Sequence, residues 1–222
     1  MRLPFSPLYL LGFIAILIVL VVVVQIGAIS FAFDKLGLSA GGVFLLLFGS
    51  LIGSLINLPL FSIKADAPPD ELPNGPFHHF LQIPHLPFTG HTVVAINVGG
   101  GLIPILFSLY LLANNPLPLW QAATGVVVIA SIARFLSRPV RGVGIGIPIF
   151  VAPIGAAIFA LLLNPALSAP LAYISGTLGV LVGADLLRLN DIRHMGTPFA
   201  SIGGAGTFDG IFITGIVAVL IA

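Results

Sequence analysis

The chain has 222 residues, 58% of them hydrophobic and 7% charged, and a mean hydropathy of +1.19. Soluble domains carry roughly 25% charged residues, so eight Lys plus Arg and seven Asp plus Glu cannot cover a water-exposed globule of this size, and a soluble fold is excluded. The net charge of +1 argues against nucleic-acid partners, and zero Cys removes disulfides, thiolate metal sites and a Cys nucleophile.

The solvent is therefore a lipid bilayer, and long apolar runs mark the crossings. There are seven, at about 9 to 33, 38 to 61, 92 to 113, 117 to 136, 146 to 163, 169 to 187 and 199 to 222. They predict an all-α polytopic bundle forming one integral membrane domain over residues 1–222. The run from Tyr9 continues through Phe33, longer than a signal-peptide core, and no A-x-A site follows, so an uncleaved anchor is expected. Pro148 and Pro153 in the fifth segment, and Gly203, Gly204 and Gly206 in the seventh, predict departures from straight helices.

Between the second and third segments, residues 62–91 hold Pro68, Pro69, Pro73, Pro76, Pro84 and Pro87 with His78, His79, His85 and His91. Phe77, Phe80 and Phe88 suit a segment lying on the membrane surface, while Asp66, Asp70 and Glu71 suit solvent. The prolines keep the histidines off one helix face and no Cys completes a metal set, so neither metal nor cofactor is expected.

Basic residues set the direction, because cytoplasmic connections retain them. Arg2, Lys64, Arg134, Arg138, Arg141, Arg188 and Arg193 fall on one side of the seven-span arrangement and only Lys35 on the other. The N-terminus is expected in the cytoplasm with the 62–91 loop, and the C-terminus outside. Asn114-Asn115-Pro116 and Asn164-Pro165 make uncharged outer turns, with Trp120 at the interface.

A parallel internal repeat is also expected. Gly49-Ser-Leu-Ile-Gly53 in span two resembles Gly179-Val-Leu-Val-Gly183 in span six, and Ala95-Ile-Asn-Val-Gly-Gly-Gly101 in span three resembles Ala200-Ser-Ile-Gly-Gly-Ala-Gly206 in span seven. Spans two and three would superpose on six and seven about an axis near the membrane normal. Small residues at this spacing equally serve close helix packing.

Charged groups inside a bilayer cost several kcal/mol unless they face a partner or a cavity. Two carboxylates fall within spans, Asp185 and Asp209, and the topology brings them to one level with Asn57, Asn97 and Thr207. On straight helices the two carboxylates would differ in depth by about 12 Å, so their approach requires a break at Gly203 to Gly206. Low dielectric and mutual repulsion suit a pair in which one carboxyl is protonated and the other ionised. Such a pair can activate water against a peptide bond, with Asp185 and Asp209 catalytic. It can equally bind and release a proton or cation, with Asn57, Asn97, Thr207, Gly203, Gly204 and Gly206 contributing to a substrate or ion site.

The run Gly204-Ala-Gly-Thr-Phe-Asp-Gly210, with an Asp one span earlier, resembles a loosened Gly-x-Gly-Asp pattern of presenilin-type and prepilin-type aspartic proteases. Thr207 and Phe208 intervene between Gly206 and Asp209, no Tyr precedes Asp185, and no Pro-Ala-Leu segment follows. Across about 95 to 222, Arg138-Pro-Val-Arg-Gly-Val-Gly-Ile, Tyr173-Ile-Ser-Gly-Thr-Leu-Gly, Gly183-Ala-Asp-Leu-Leu and Ser201-Ile-Gly-Gly-Ala-Gly-Thr-Phe-Asp-Gly resemble the prokaryotic membrane family catalogued as domain of unknown function 1614. The resemblance implies a multi-pass protein of a prokaryotic inner or plasma membrane and carries no activity with it. Three functions stay open: an intramembrane aspartic-type hydrolase acting on a membrane-embedded peptide, a small ion or solute transporter, and a structural scaffold. Seven spans are few for a monomeric transporter, which then calls for a homodimer.

Overall fold

A computed structural model describes residues 27–66, 90–140, 144–148, 150–204 and 210–222. Helices α1 (Gly27–Lys35) and α2 (Ala40–Gly53) meet at 113°. Gly37 turns the corner at φ +72°, and Ser39 caps α2 by accepting a hydrogen bond from Gly42 N at 3.3 Å. Strands β1 (Asn57–Lys64) and β2 (His91–Asn97) follow, then a wide π-turn, Val98–Leu102, that opens α3 (Ile103–Asn114). Next come α4 (Leu119–Leu136), a small hairpin of β3 (Arg138–Val140) and β4 (Gly144–Gly146), and α5 (Val151–Leu163). Helix α6 (Ser168–Val180) runs into a second π-turn, Leu181–Asp185, and short turns lead through α7 (Leu189–Ile192) to β5 (Phe199–Ile202) and α8 (Gly210–Ile221).

The protein is mainly helical, and α6 is its axis. Every residue of α6 except Leu178 is buried, against α3, α4, α5 and α8. Small residues permit the approach, because lipid supplies no hydrophobic drive between helices and close packing must do so. A Cβ on Gly179 would stand 2.6 Å from the Ile129 side chain of α4, and one on Gly183 would collide with the Ala130 carbonyl. Tyr173 closes the core on α3, its ring set edge-on to Phe107 with centroids 4.9 Å apart.

Among the described residues two stretches are long and apolar enough to cross a membrane, Leu119–Leu136 and the helical run Pro165–Met195; α1 with α2 makes a third if the bent pair is one span. The all-α expectation is corrected by a three-stranded sheet in the order β1-β2-β5. Parts of three segments expected as helices, 57–61, 92–97 and 199–202, are strands instead. Pro59 interrupts a helix, Thr92, Val93, Val94 and Ile96 are β-branched, and Gly203 and Gly204 at positive φ end β5. The sheet also takes up the ends of the 62–91 loop; its residues 67–89, with His78, His79 and His85, lie outside the described residues.

Contacts between distant residues sort the helix ends. At one end Lys35 Nζ donates to Val219 O at 3.4 Å, Ser168 Oγ to Ala222 O at 3.1 Å, and Asn164 Nδ2 to Gln121 Oε1 at 2.8 Å. At the other, Arg188 donates from Nε to Ser137 Oγ at 2.8 Å and from Nη2 to Arg134 O at 2.7 Å and to Ser137 O. There too Asp66 N donates to Arg193 O at 2.9 Å, and the Asp66 carboxylate meets His194 Nδ1 at 2.6 Å. From this charged end β2 runs inward over about 20 Å, at roughly 3.3 Å per residue.

Candidate functional site: the inner end of the sheet

Strand β2 pairs antiparallel with β1 and parallel with β5, so β2 and β5 both run inward and both end in glycine turns. Asn57 faces Asn97 across the β1–β2 pair. Asn97 is fully buried. Its Nδ2 donates to Ser54 O at 2.7 Å and to Asn57 Oδ1 at 3.2 Å, and its Oδ1 accepts from Gly100 N at 2.8 Å. Asn57 Oδ1 also accepts from Ser201 Oγ on β5 at 2.6 Å. Side chains thus join all three strands at this end of the sheet.

The two glycine turns touch. Gly203 has φ +81°, and a Cβ there would stand 2.5 Å from Gly101 N and 2.7 Å from Gly100 C. The Gly99 position is as tight, because a Cβ would run into the Ser50 carbonyl and Ser54 N of α2. The π-turn that ends α6 carries Asp185 to Gly203, whose N–H donates to Asp185 Oδ2 at 2.9 Å. Both π-turns found among the described residues, a backbone form frequent at functional sites, therefore border this one place.

Of the residues singled out in the sequence, Asn57 and Asn97 are bonded to each other, and Asp185 and Gly203 are bonded to each other; Gly204 continues the turn at φ +88°. Gly206, Thr207 and Asp209 lie outside the described residues, so the distance between Asp185 and Asp209 does too. The break required of the Gly203 segment is present, since Gly203 and Gly204 are not helical and α8 begins at Gly210. Among the described residues no three His, Asp or Glu side chains gather as a metal site.

Sequence reasoning missed Ser201 and the Ser54 carbonyl. The available signal for Ser201 was a lone polar side chain just before a glycine pair in the repeated segment. In the sheet Ser201 pairs with Ala95. Of the glycines matched in the expected repeat, Gly53 lies against Gly99 and Val98, and Gly183 against Ala130 of α4.

Residues 51–221 match the family described as protein of unknown function (DUF1614), and the chain belongs to that family. No curated protein and no solved structure matches it.

Proposed function

We propose that this DUF1614 member is an intramembrane aspartic-type hydrolase in which Asp185 and Asp209 activate water against a peptide bond of a membrane-embedded substrate. The observation that carries the reading is the hydrogen bond from Gly203 N to Asp185 Oδ2. It anchors the start of the glycine-rich run that leads to Asp209 directly at Asp185, and it does so where the chain is not helical. In this mechanism the ionised carboxyl takes a proton as water oxygen adds to the scissile carbonyl, and the protonated carboxyl gives its proton to the carbonyl oxygen. As the tetrahedral intermediate collapses, the carboxyl that took the proton from water gives it to the departing amine and a hydroxyl of the intermediate returns a proton to the other carboxyl, leaving a carboxylic acid and an amine.

The membrane reading that goes with it has seven crossings, three of them composite strand-and-helix segments, with the N-terminus in the cytoplasm of a prokaryotic cell. The one-sided basic residues support it, as does the gathering of Lys35 and the end of α8 away from Arg134 and Arg188.

One observation favours a second reading. Strands β2 and β5 run parallel, and each leads through a glycine turn toward a helix, α3 and α8. Interrupted elements at corresponding positions of a parallel repeat are where transporters place a midplane site, here for a proton, cation or small solute and, with few spans per chain, in a homodimer.

The test uses purified full-length protein. Asp185→Asn and Asp209→Asn are each measured for cleavage of single-span substrates and, in liposomes, for pH-dependent flux. Cleavage by the wild type that is lost in both variants supports the hydrolase. Flux lost in the variants, without cleavage, supports transport. Neither activity in the wild type overturns both and leaves the aspartates as structural pairs of a scaffold.

A further inference from the structure

We infer that Asn57, Asn97 and Ser201 are positioning residues for Asp185, so that Asn57 and Asn97 are not the substrate or ion ligands expected from the sequence. The inference rests on Asp185 being the working carboxylate of the proposed site.

The contacts close into a ring. From Asn57 Oδ1 one branch goes to Ser201 Oγ at 2.6 Å and along two residues of β5 to Gly203. The other goes to Asn97 Nδ2 at 3.2 Å, then from Asn97 Oδ1 to Gly100 N at 2.8 Å. Gly100 and Gly101 lie against Gly203, and Gly203 N holds Asp185 Oδ2. A carbonyl oxygen offers two lone pairs, and Asn57 Oδ1 already receives two donors. Asn97 is fully buried and uses both ends of its amide within the protein. Asn57 Oδ1, both ends of the Asn97 amide and the Ser201 hydroxyl proton are therefore spent on the register of β1, β2 and β5, and that register sets where the Gly203 N–H points.

The Ser201 hydroxyl is the outer tie of β5 in this ring. Without it, β5 keeps its ladder to β2, but the inner end of the strand loses its side-chain link to β1. Asp185 then feels a displaced amide donor, which alters when its carboxyl is protonated.

The test follows Asp185 itself. A hydrophobic carbodiimide modifies protonated carboxyls in apolar surroundings, and mass spectrometry of the full-length protein in detergent reads its rate at Asp185 against pH. Ser201→Ala and Asn57→Ala are each expected to change that rate by roughly 2- to 30-fold and to move its pH profile. Ser201→Thr, which keeps the hydroxyl, is expected to restore the wild-type profile. Ser168→Ala loses a hydroxyl bond at the opposite end of the bundle and should leave the profile unmoved. Wild-type profiles in Ser201→Ala and Asn57→Ala overturn the inference, and so does an equal shift in Ser168→Ala. The hydrolase reading fails separately, if Asp185→Asn leaves cleavage intact, and the labelling result does not depend on it.

Discussion

Gly203 donates its backbone N–H to Asp185 Oδ2 at 2.9 Å across 18 residues of chain, and it can do so only as glycine. Its φ of +81° lies in the left-handed region, and its α-carbon faces the Gly100–Gly101 backbone at a distance that leaves no room for a methyl group. The carboxyl side chain that ends the π-turn after α6 is thus joined to a glycine turn that a second glycine turn holds in place.

Gly203→Ala should therefore cost more than its backbone strain. The left-handed conformation alone costs an L-residue about 1–2 kcal/mol, and overlap with Gly101 N adds to that, for a total above about 2 kcal/mol. Gly37→Ala isolates the strain, because Gly37 has φ +72° and a methyl group there would meet nothing within 4 Å. Thermal unfolding in detergent should place Gly203→Ala well below Gly37→Ala, and equal melting temperatures would refute the contact.

Two ionic contacts at the charged end should differ sharply in weight. Arg188, with an 11% exposed side chain, binds Ser137, Arg134 O and Asp191 together and caps the C-terminal carbonyls of α4. Its planar fork is what spans these acceptors, so Arg188→Lys as well as Arg188→Ala should lose about 2–3 kcal/mol. The Asp66–His194 pair is 69% and 72% exposed, so His194→Ala should lose less than about 1 kcal/mol. Denaturation of the three variants side by side measures the ranking, and a His194→Ala loss as large as that of Arg188→Lys would contradict it.

A reporter active only in the cytoplasm, fused after Ala222, should be silent. The same reporter inserted between Asp70 and Glu71 should be active. A strong signal from the C-terminal fusion would mean that a crossing has been miscounted, with the composite segments the first to reconsider.

Much of this protein is legible in composition. With 7% charged residues the chain has no means of satisfying water over its surface, so the membrane setting needs no coordinates. The cost of polar groups in hydrocarbon also picked out Asn57, Asn97 and Asp185, each of which is bonded at the inner end of the sheet. A departure from a straight helix near Gly203 was expected from its glycines, and helix arithmetic required it for any approach of Asp185 and Asp209.

The strands were not legible, because a run such as Thr92 to Ile96 is apolar whichever backbone form it adopts, and periodicity cannot separate a buried strand from a buried helix. What selects the strand is pairing with residues far along the chain, His91 with Lys64 and Val93 with Phe199. Ser201 and Ser54 were missed for the same reason: a hydroxyl or a carbonyl has no signature until its partner, 144 or 43 residues away, is folded against it. Solvent preference is a property of each segment by itself and can be read locally, whereas a hydrogen-bonded site belongs to pairs of segments and exists only once tertiary packing has brought them together.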